Sequence, residues 1–170
     1  MMKGFTLIEL LVVITIIGIL ATIVIVNLNS TRGRGQDAAI KEQMSQIRSI
    51  IAIYYSDNFG YTAGATGGIA PTACITAAGA ANAAFASTAF NDADFVKSSA
   101  GILRNSSVVP QCQIAANTQK SQSWVMWAKL RVNTTDWWCV DSSGSSQQVT
   151  GTLSTPPASV TDAAGNISCN

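Results

Sequence analysis

Two regimes of hydrophobic patterning divide the chain. From Phe5 to Leu28 the sequence FTLIELLVVITIIGILATIVIVNL is apolar on every face, with Glu9 its single ionisable residue. As one helix this run rises about 36 Å at 1.5 Å per residue, long enough to cross a bilayer. Beyond it the pattern narrows to a stripe, with Ile40, Met44, Ile47, Ile51 and Tyr54 at spacings of four, three, four and three. That spacing predicts an amphipathic helix with one covered face. Asp37 and Lys41 stand at i,i+4 on its polar side, with Glu42, Gln46 and Ser49 nearby. A continuous helix over residues 5–55 would be about 76 Å long, and its second half needs a packed partner. Gly33 and Gly35 each cost about 1 kcal/mol relative to Ala, which predicts a bend; the alternative is that Gly-Arg-Gly ends one helix and a second begins. Fewer than three heptads are present, so packing against a sheet is favoured over a coiled coil.

The region 57–121 is rich in Ala, Thr, Gly, Ser and Asn and has little periodicity, as in TAGATGGIAPTACITAAGAANAAFAST. It reads as a long connection holding short pieces of structure. Asn91 is the expected N-cap of a brief helix over Asp92 to about Ser99, with Phe95, Val96, Ile102 and Leu103 as anchors. In the final region, 122–170, Trp124 to Val132 alternates: Trp124, Met126, Ala128, Leu130 and Val132 share one face, Val125, Trp127, Lys129 and Arg131 the other. This predicts a half-buried strand. A turn at Asn133–Asp136, a strand over Trp137–Asp141, a turn at Ser142–Gly144 and a strand over Gln147–Thr150 complete an antiparallel meander. Its apolar face is the expected cover for the helical stripe, so the fold class is α+β: one long amino-terminal helix on a small carboxy-terminal sheet.

Length and composition narrow the chemistry. The chain has 170 residues, ten Lys+Arg against nine Asp+Glu, and no His. One modest domain fits that length. The absence of His removes Ser/His/Asp and Cys/His hydrolases and any His-bearing zinc site. A net charge of +1 supplies no electrostatic footprint for nucleic acid, and no such partner is expected. Paired carboxylates, a phosphate loop, a nucleophile with its base and a cofactor fingerprint are all missing from the sequence, so no enzyme activity, catalytic residue or cofactor is expected. Asp136, Asp141 and Asp162 come from separated segments and fall short of a calcium donor set, so no metal site is assigned. For Trp137-Trp138-Cys139-Val140-Asp141-Ser142-Ser143-Gly144 the favoured reading is a strand ending in a Ser-Gly turn.

Cys74, Cys112, Cys139 and Cys169 all follow the apolar run, are even in number and lack Cys-x-x-Cys spacing. Two disulfides and an oxidising compartment are the favoured reading over a four-thiolate zinc site. Of the three possible pairings, Cys74–Cys112 with Cys139–Cys169 is preferred, because it closes two loops of similar size and staples the middle region and the tail separately.

The apolar run is too long for a removable secretory signal. Met1 to Gly4 carry Lys3 and the starting amine, which favours holding that end in the cytoplasm, whereas Arg32, Arg34 and Lys41 on the far side argue the other way. Glu9 is the second anomaly, since an acid inside a lone membrane helix costs roughly 2.5 to 3.5 kcal/mol near the centre.

The segment Lys3-Gly4-Phe5-Thr6-Leu7-Ile8-Glu9-Leu10 resembles the prepilin signal of type IV pilins and type II secretion pseudopilins, and the likeness extends over residues 1 to about 55. The resemblance implies that residues 1–4 are a leader cut after Gly4 by a prepilin peptidase, which then N-methylates Phe5. It implies a 5–28 membrane and filament-core helix, a 29–56 amphipathic continuation, and assembly through Glu9 paired with the Phe5 amino group of a neighbouring copy. Gly18 matches a glycine found in many members, while the proline common in this helix is missing. Cutting there leaves nine basic against nine acidic side chains. The implied partners are copies of itself and related pilins in a helical filament, the prepilin peptidase/methyltransferase, the inner-membrane assembly machinery and the lipid bilayer. The implied location is a single-pass inner-membrane protein with a cytoplasmic amino terminus, later a surface or periplasmic filament. A structural subunit of a type IV pilus-like filament is the main expectation. A type II secretion pseudopilin and a monomeric membrane-anchored binding protein are the alternatives.

Overall fold

Helix α1 (Leu7–Asn58, 52 residues) passes unbroken through Gly33 and Gly35 in a computed structural model describing residues 4, 6–61, 68–115, 123–151, 160–161 and 167–169. The alternative of two helices is thereby corrected. Tertiary contacts offset the low propensity of the two glycines: the Asp37 carboxylate accepts the backbone N–H groups of Arg131 (2.5 Å) and Val132 (3.2 Å). Val132 lies close enough to Gly33 that an added Cβ would stand 3.2 Å from its Cγ2. The helix ends at Phe59, which takes the left-handed conformation (φ 54°) and donates its N–H to Tyr55 O.

The middle region is more ordered than its composition indicates. It supplies strand β1 (Ile69–Ala73), two short 3-10 turns (Ala83–Phe85 and Ala89–Asn91), helix α2 (Ala93–Ser106) and strand β2 (Gln111–Ile114). The expected helix is there but longer, and its cap is Asp92 rather than Asn91. Asp92 Oδ1 accepts from the amides of Asp94 (2.9 Å) and Phe95 (3.3 Å), while Asn91 closes the preceding turn. Helix α2 lies antiparallel along α1: Asp92 at its start acts electrostatically on Tyr54, and Asn105 near its end donates to Gln43 Oε1 at 3.4 Å. Gly101 permits this approach, because a Cβ there would meet Gln43 Nε2 at 2.5 Å. The bond between Cys74 and Cys112 ties the end of β1 to β2.

Strands β3 (Trp124–Lys129), β4 (Asp136–Asp141) and β5 (Ser146–Thr150) form the expected meander, and β1 and β2 extend it to five antiparallel strands in chain order. One face packs Trp124, Met126, Ala128 and Val140 against α2 and the α1 stripe, of which Ile40, Met44, Ile47 and Ile51 are wholly buried. Strand β3 is not half-buried as its alternation predicts; all six residues are buried. The reason is the tail, strands β6 (Val160–Thr161) and β7 (Ile167–Ser168), with Cys139 bonded to Cys169. Ile167 and Cys169 close a second core with Val125, Trp127, Trp137 and Val149. Val132, assigned by alternation to the inner face, stands at the β3–β4 hairpin tip, 54% exposed. That alternation ends with the strand at Lys129.

Candidate assembly interface

The amino-terminal half of α1 is a bare apolar rod. Its large side chains with described surroundings, from Leu7 to Leu28, are all exposed, between 47% at Val12 and 86% at Leu7. Thr15 and Thr22 turn their hydroxyls back onto the helix, donating to Val12 O (2.8 Å) and Gly18 O (2.9 Å). Both hydroxyls are thus satisfied without solvent, as a helix in hydrocarbon requires. This is the described helix long and apolar enough to cross a membrane.

The polar end of the rod is built by Thr6 and Glu9. Glu9 N–H donates to Thr6 Oγ1 (3.4 Å), while the Thr6 N–H (2.9 Å) and hydroxyl (2.8 Å) both donate to Glu9 Oε2. This reciprocal arrangement is a capping box, and it places a carboxylate where the helix dipole favours negative charge. The sequence reading assigns Thr6 no role; the signal that reveals it is Thr6-x-x-Glu9 ahead of an apolar run. Gly4 is exposed, with open space around a would-be Cβ. Phe5, the expected new terminus and methylation site, lies outside the described residues.

Of the four cysteines, Cys74 is joined to Cys112 and Cys139 to Cys169, with Cα–Cα separations of 5.0 and 5.9 Å. Asp136 and Asp141 act as acceptors within the head. Asp136 Oδ2 takes donors from Asn133 Nδ2 (2.7 Å) and Gln148 Nε2 (2.6 Å). Asp141 Oδ1 takes Ser143 N, Ser143 Oγ and Ser145 N, and Oδ2 takes Cys169 N. Asp162 lies outside the described residues. Among the described residues there is no group of three or more His, Cys, Asp or Glu side chains placed to hold a metal ion. Lys41, counted on the polar side of the stripe, sits with Nζ 4.5 Å from the centre of the Trp138 ring. Arg48 reaches from α1 to the β4–β5 turn, donating through Nη2 to Ser145 O and to Ser146 Oγ (3.1 Å). Two helical cations thus fasten the second half of α1 to the sheet.

Residues 1–25 match the family model for the prokaryotic N-terminal methylation motif. The amino-terminal segment of the chain is thus similar to that of type IV pilins and type II secretion pseudopilins. The chain is 45% identical over 60 residues, 35% of its own length and 46% of the relative's, to the type IV wide pilus major component PilA4 of Thermus thermophilus. It is 37% identical over 59 residues, 35% of its length and 42% of the relative's, to type II secretion system core protein G of Pseudomonas aeruginosa. These matches span less than half the length of either relative. No solved structure matches the chain with significance. The matched segment, residues 1–25, takes in the capped acid and most of the exposed apolar rod, while the disulfide-stapled α+β head lies beyond it.

Proposed function

We propose that the chain is a structural subunit that polymerises into a type IV pilus-like surface filament. The observation that carries this reading is the exposed rod of α1, apolar over 22 residues from Leu7 to Leu28 and bearing one acid at its capped end. So large an apolar surface needs a bilayer or copies of itself around it. The packed head leaves it uncovered.

A prepilin peptidase cuts between Gly4 and Phe5 and methylates the new Phe5 amine. A neighbour shifted along the filament brings its Phe5 amine directly against the Glu9 carboxylate. Thr6 occupies one oxygen, Oε2, leaving the other as the natural acceptor for the incoming amine. Breaking either partner strands a buried charge, so the pair fixes the register between copies. Before assembly the subunit waits in the inner membrane, amino terminus in the cytoplasm and head outside, where disulfides persist.

The second reading is a pseudopilin of a type II secretion system, favoured by the similarity to core protein G. Mass spectrometry of the mature amino terminus, with electron microscopy of sheared surface material, tests both. N-methylated Phe5 in long filaments supports the first, and processed chain confined to short periplasmic assemblies supports the second. An uncut, monomeric chain overturns both in favour of an anchored binding protein.

A further inference from the structure

The arginines beyond the apolar run run against the charge rule that favours a cytoplasmic amino terminus, and the fold gives them a use. Leu7 to Leu28 rises about 33 Å, close to the hydrocarbon thickness of a bilayer, so Leu28 marks its far edge. Gly33 then lies about 7 Å above that edge, at the outer limit of the headgroup layer, and Arg34 about 9 Å, from where its long side chain reaches down to the phosphates. The β3–β4 hairpin is folded down to the same level. Asp37 holds its tip through the amides of Arg131 and Val132, and Val132 rests against Gly33. Arg131 Nη1 donates to Ser107 Oγ at 2.7 Å, which fixes its guanidinium beside the tip. Arg34, Asp37, Ala38, Lys41 and Val132 line one surface hollow of about 280 Å³. Its one acid, Asp37, is occupied by the two hairpin amides, while Lys41 is set over Trp138.

We infer that this basal face, Arg34 and Arg131 beside the exposed tip residue Val132, is a docking site for the headgroup phosphate of an anionic phospholipid in the leaflet nearest the head. The inference rests on the proposed membrane-spanning role of the rod. Guanidinium groups take phosphate oxygens through paired N–H donors, and an apolar tip between them suits the headgroup–acyl boundary. Continuity with the spanning helix selects lipid as the occupant. The other candidate is the opposite end of a second copy, where Asp57, Asp92 and Asp94 gather at the end of α1 and the start of α2. Lipid docking holds the head upright on the membrane before extraction and gives the far-side arginines a phosphate partner.

The test uses the full chain in nanodiscs of phosphatidylcholine with a minor fraction of phosphatidylglycerol, read by native mass spectrometry of retained lipid. Wild-type chain should retain phosphatidylglycerol, and Arg34→Glu with Arg131→Glu should reduce retention by about tenfold. Arg34→Lys with Arg131→Lys should keep most of it, and Lys97→Glu, exposed on α2, should leave it unchanged. Equal retention by the double Glu variant, equal loss in the Lys97 control, or crosslinks joining the basal arginines to the acidic end of another copy would overturn the docking site. If the double Glu variant fails to form its two disulfides, Arg34→Gln alone decides: reduced retention supports the site and unchanged retention removes it. A wild-type chain that does not enter nanodiscs refutes the spanning role itself, and the site with it.

Discussion

Asp141 Oδ2 accepts the backbone N–H of Cys169 at 2.8 Å, while Cys169 is bonded to Cys139 two residues before Asp141. Covalent and hydrogen-bonded ties therefore hold the same stretch of tail over the same core. Asp141 is wholly buried and also organises the Ser142–Ser145 turn. Asp141→Ala strands the buried Cys169 amide and loosens the turn, and should cost about 2–4 kcal/mol. Because both ties restrain one segment, the triple variant Asp141→Ala with Cys139→Ser and Cys169→Ser should lose less stability than the sum of the separate effects. Denaturant titration in detergent, followed by Trp fluorescence, checks this; strict additivity would show that the two ties act independently.

How much of this was legible in the sequence differs by region. The α1 stripe was readable because Ile40, Met44, Ile47 and Ile51 repeat at helical spacing and meet one continuous core. Strand β3 was readable for the same reason at period two, and β4 and β5 from the turns that bound them. Strands β1 and β2 were not: IAPTA and QCQI are short, one contains Pro71, and their pairing is set by partners about forty residues apart and the adjoining Cys74–Cys112 bond. Full burial of β3 was hidden as well, since what covers Val125 and Trp127 is a distant tail. At the amino-terminal end of α1, Glu9 stood out by charge alone, whereas Thr6 became meaningful once its bonds to Glu9 were seen.

Gly33 and Gly101, at close contacts between α1 and the head, should respond to substitution in opposite ways. Gly33→Ala places a Cβ 3.2 Å from Val132 Cγ2, but Val132 is an exposed hairpin residue that can yield. The gain in helix propensity then dominates, and stability should rise by about 0.5–1 kcal/mol. At Gly101 a Cβ meets Gln43 Nε2 at 2.5 Å and Cδ at 3.2 Å, displacing the amide that accepts from Asn105. Gly101→Val should force α2 off α1 and cost about 1–3 kcal/mol. Combining Gly101→Ala with Gln43→Ala should recover stability relative to Gly101→Ala by itself, measured by thermal unfolding in detergent.

Tyr61 links the end of α1 to the sheet, its ring 4.8 Å from Tyr55 and 6.3 Å from Trp124. Burial raises its phenol above the usual tyrosine range, a bond with Trp124 partly opposes the shift, and Tyr55 adds to it. Below the unfolded pKa of about 10 the phenol is neutral in both states and its contribution is intact. Above that pH the unfolded chain ionises first, so stability falls as pH rises through the folded value. Tyr61→Phe should flatten the loss of melting temperature between about pH 9 and 11 relative to wild type; an unchanged slope would assign the alkaline loss to other groups.

Glu9 combines two roles that one substitution can separate. Its Oε2 closes the capping box with Thr6, a local function that steadies the start of the helix. Its charge serves the proposed pairing with a neighbour's amine. Glu9→Gln keeps a side-chain oxygen for the Thr6 amide and hydroxyl, so the helix should begin as before and the chain should still be cut and methylated. The neighbour's ammonium, however, would be buried without a counter-charge, a cost of several kcal/mol per contact. Surface filaments recovered by shearing should therefore drop roughly a hundredfold or more, with mature subunit retained in the membrane. Glu9→Ala should lose both roles and add fraying of the first turn. Normal filament yield from Glu9→Gln would assign the residue to the cap alone and leave the register between copies to the apolar rod.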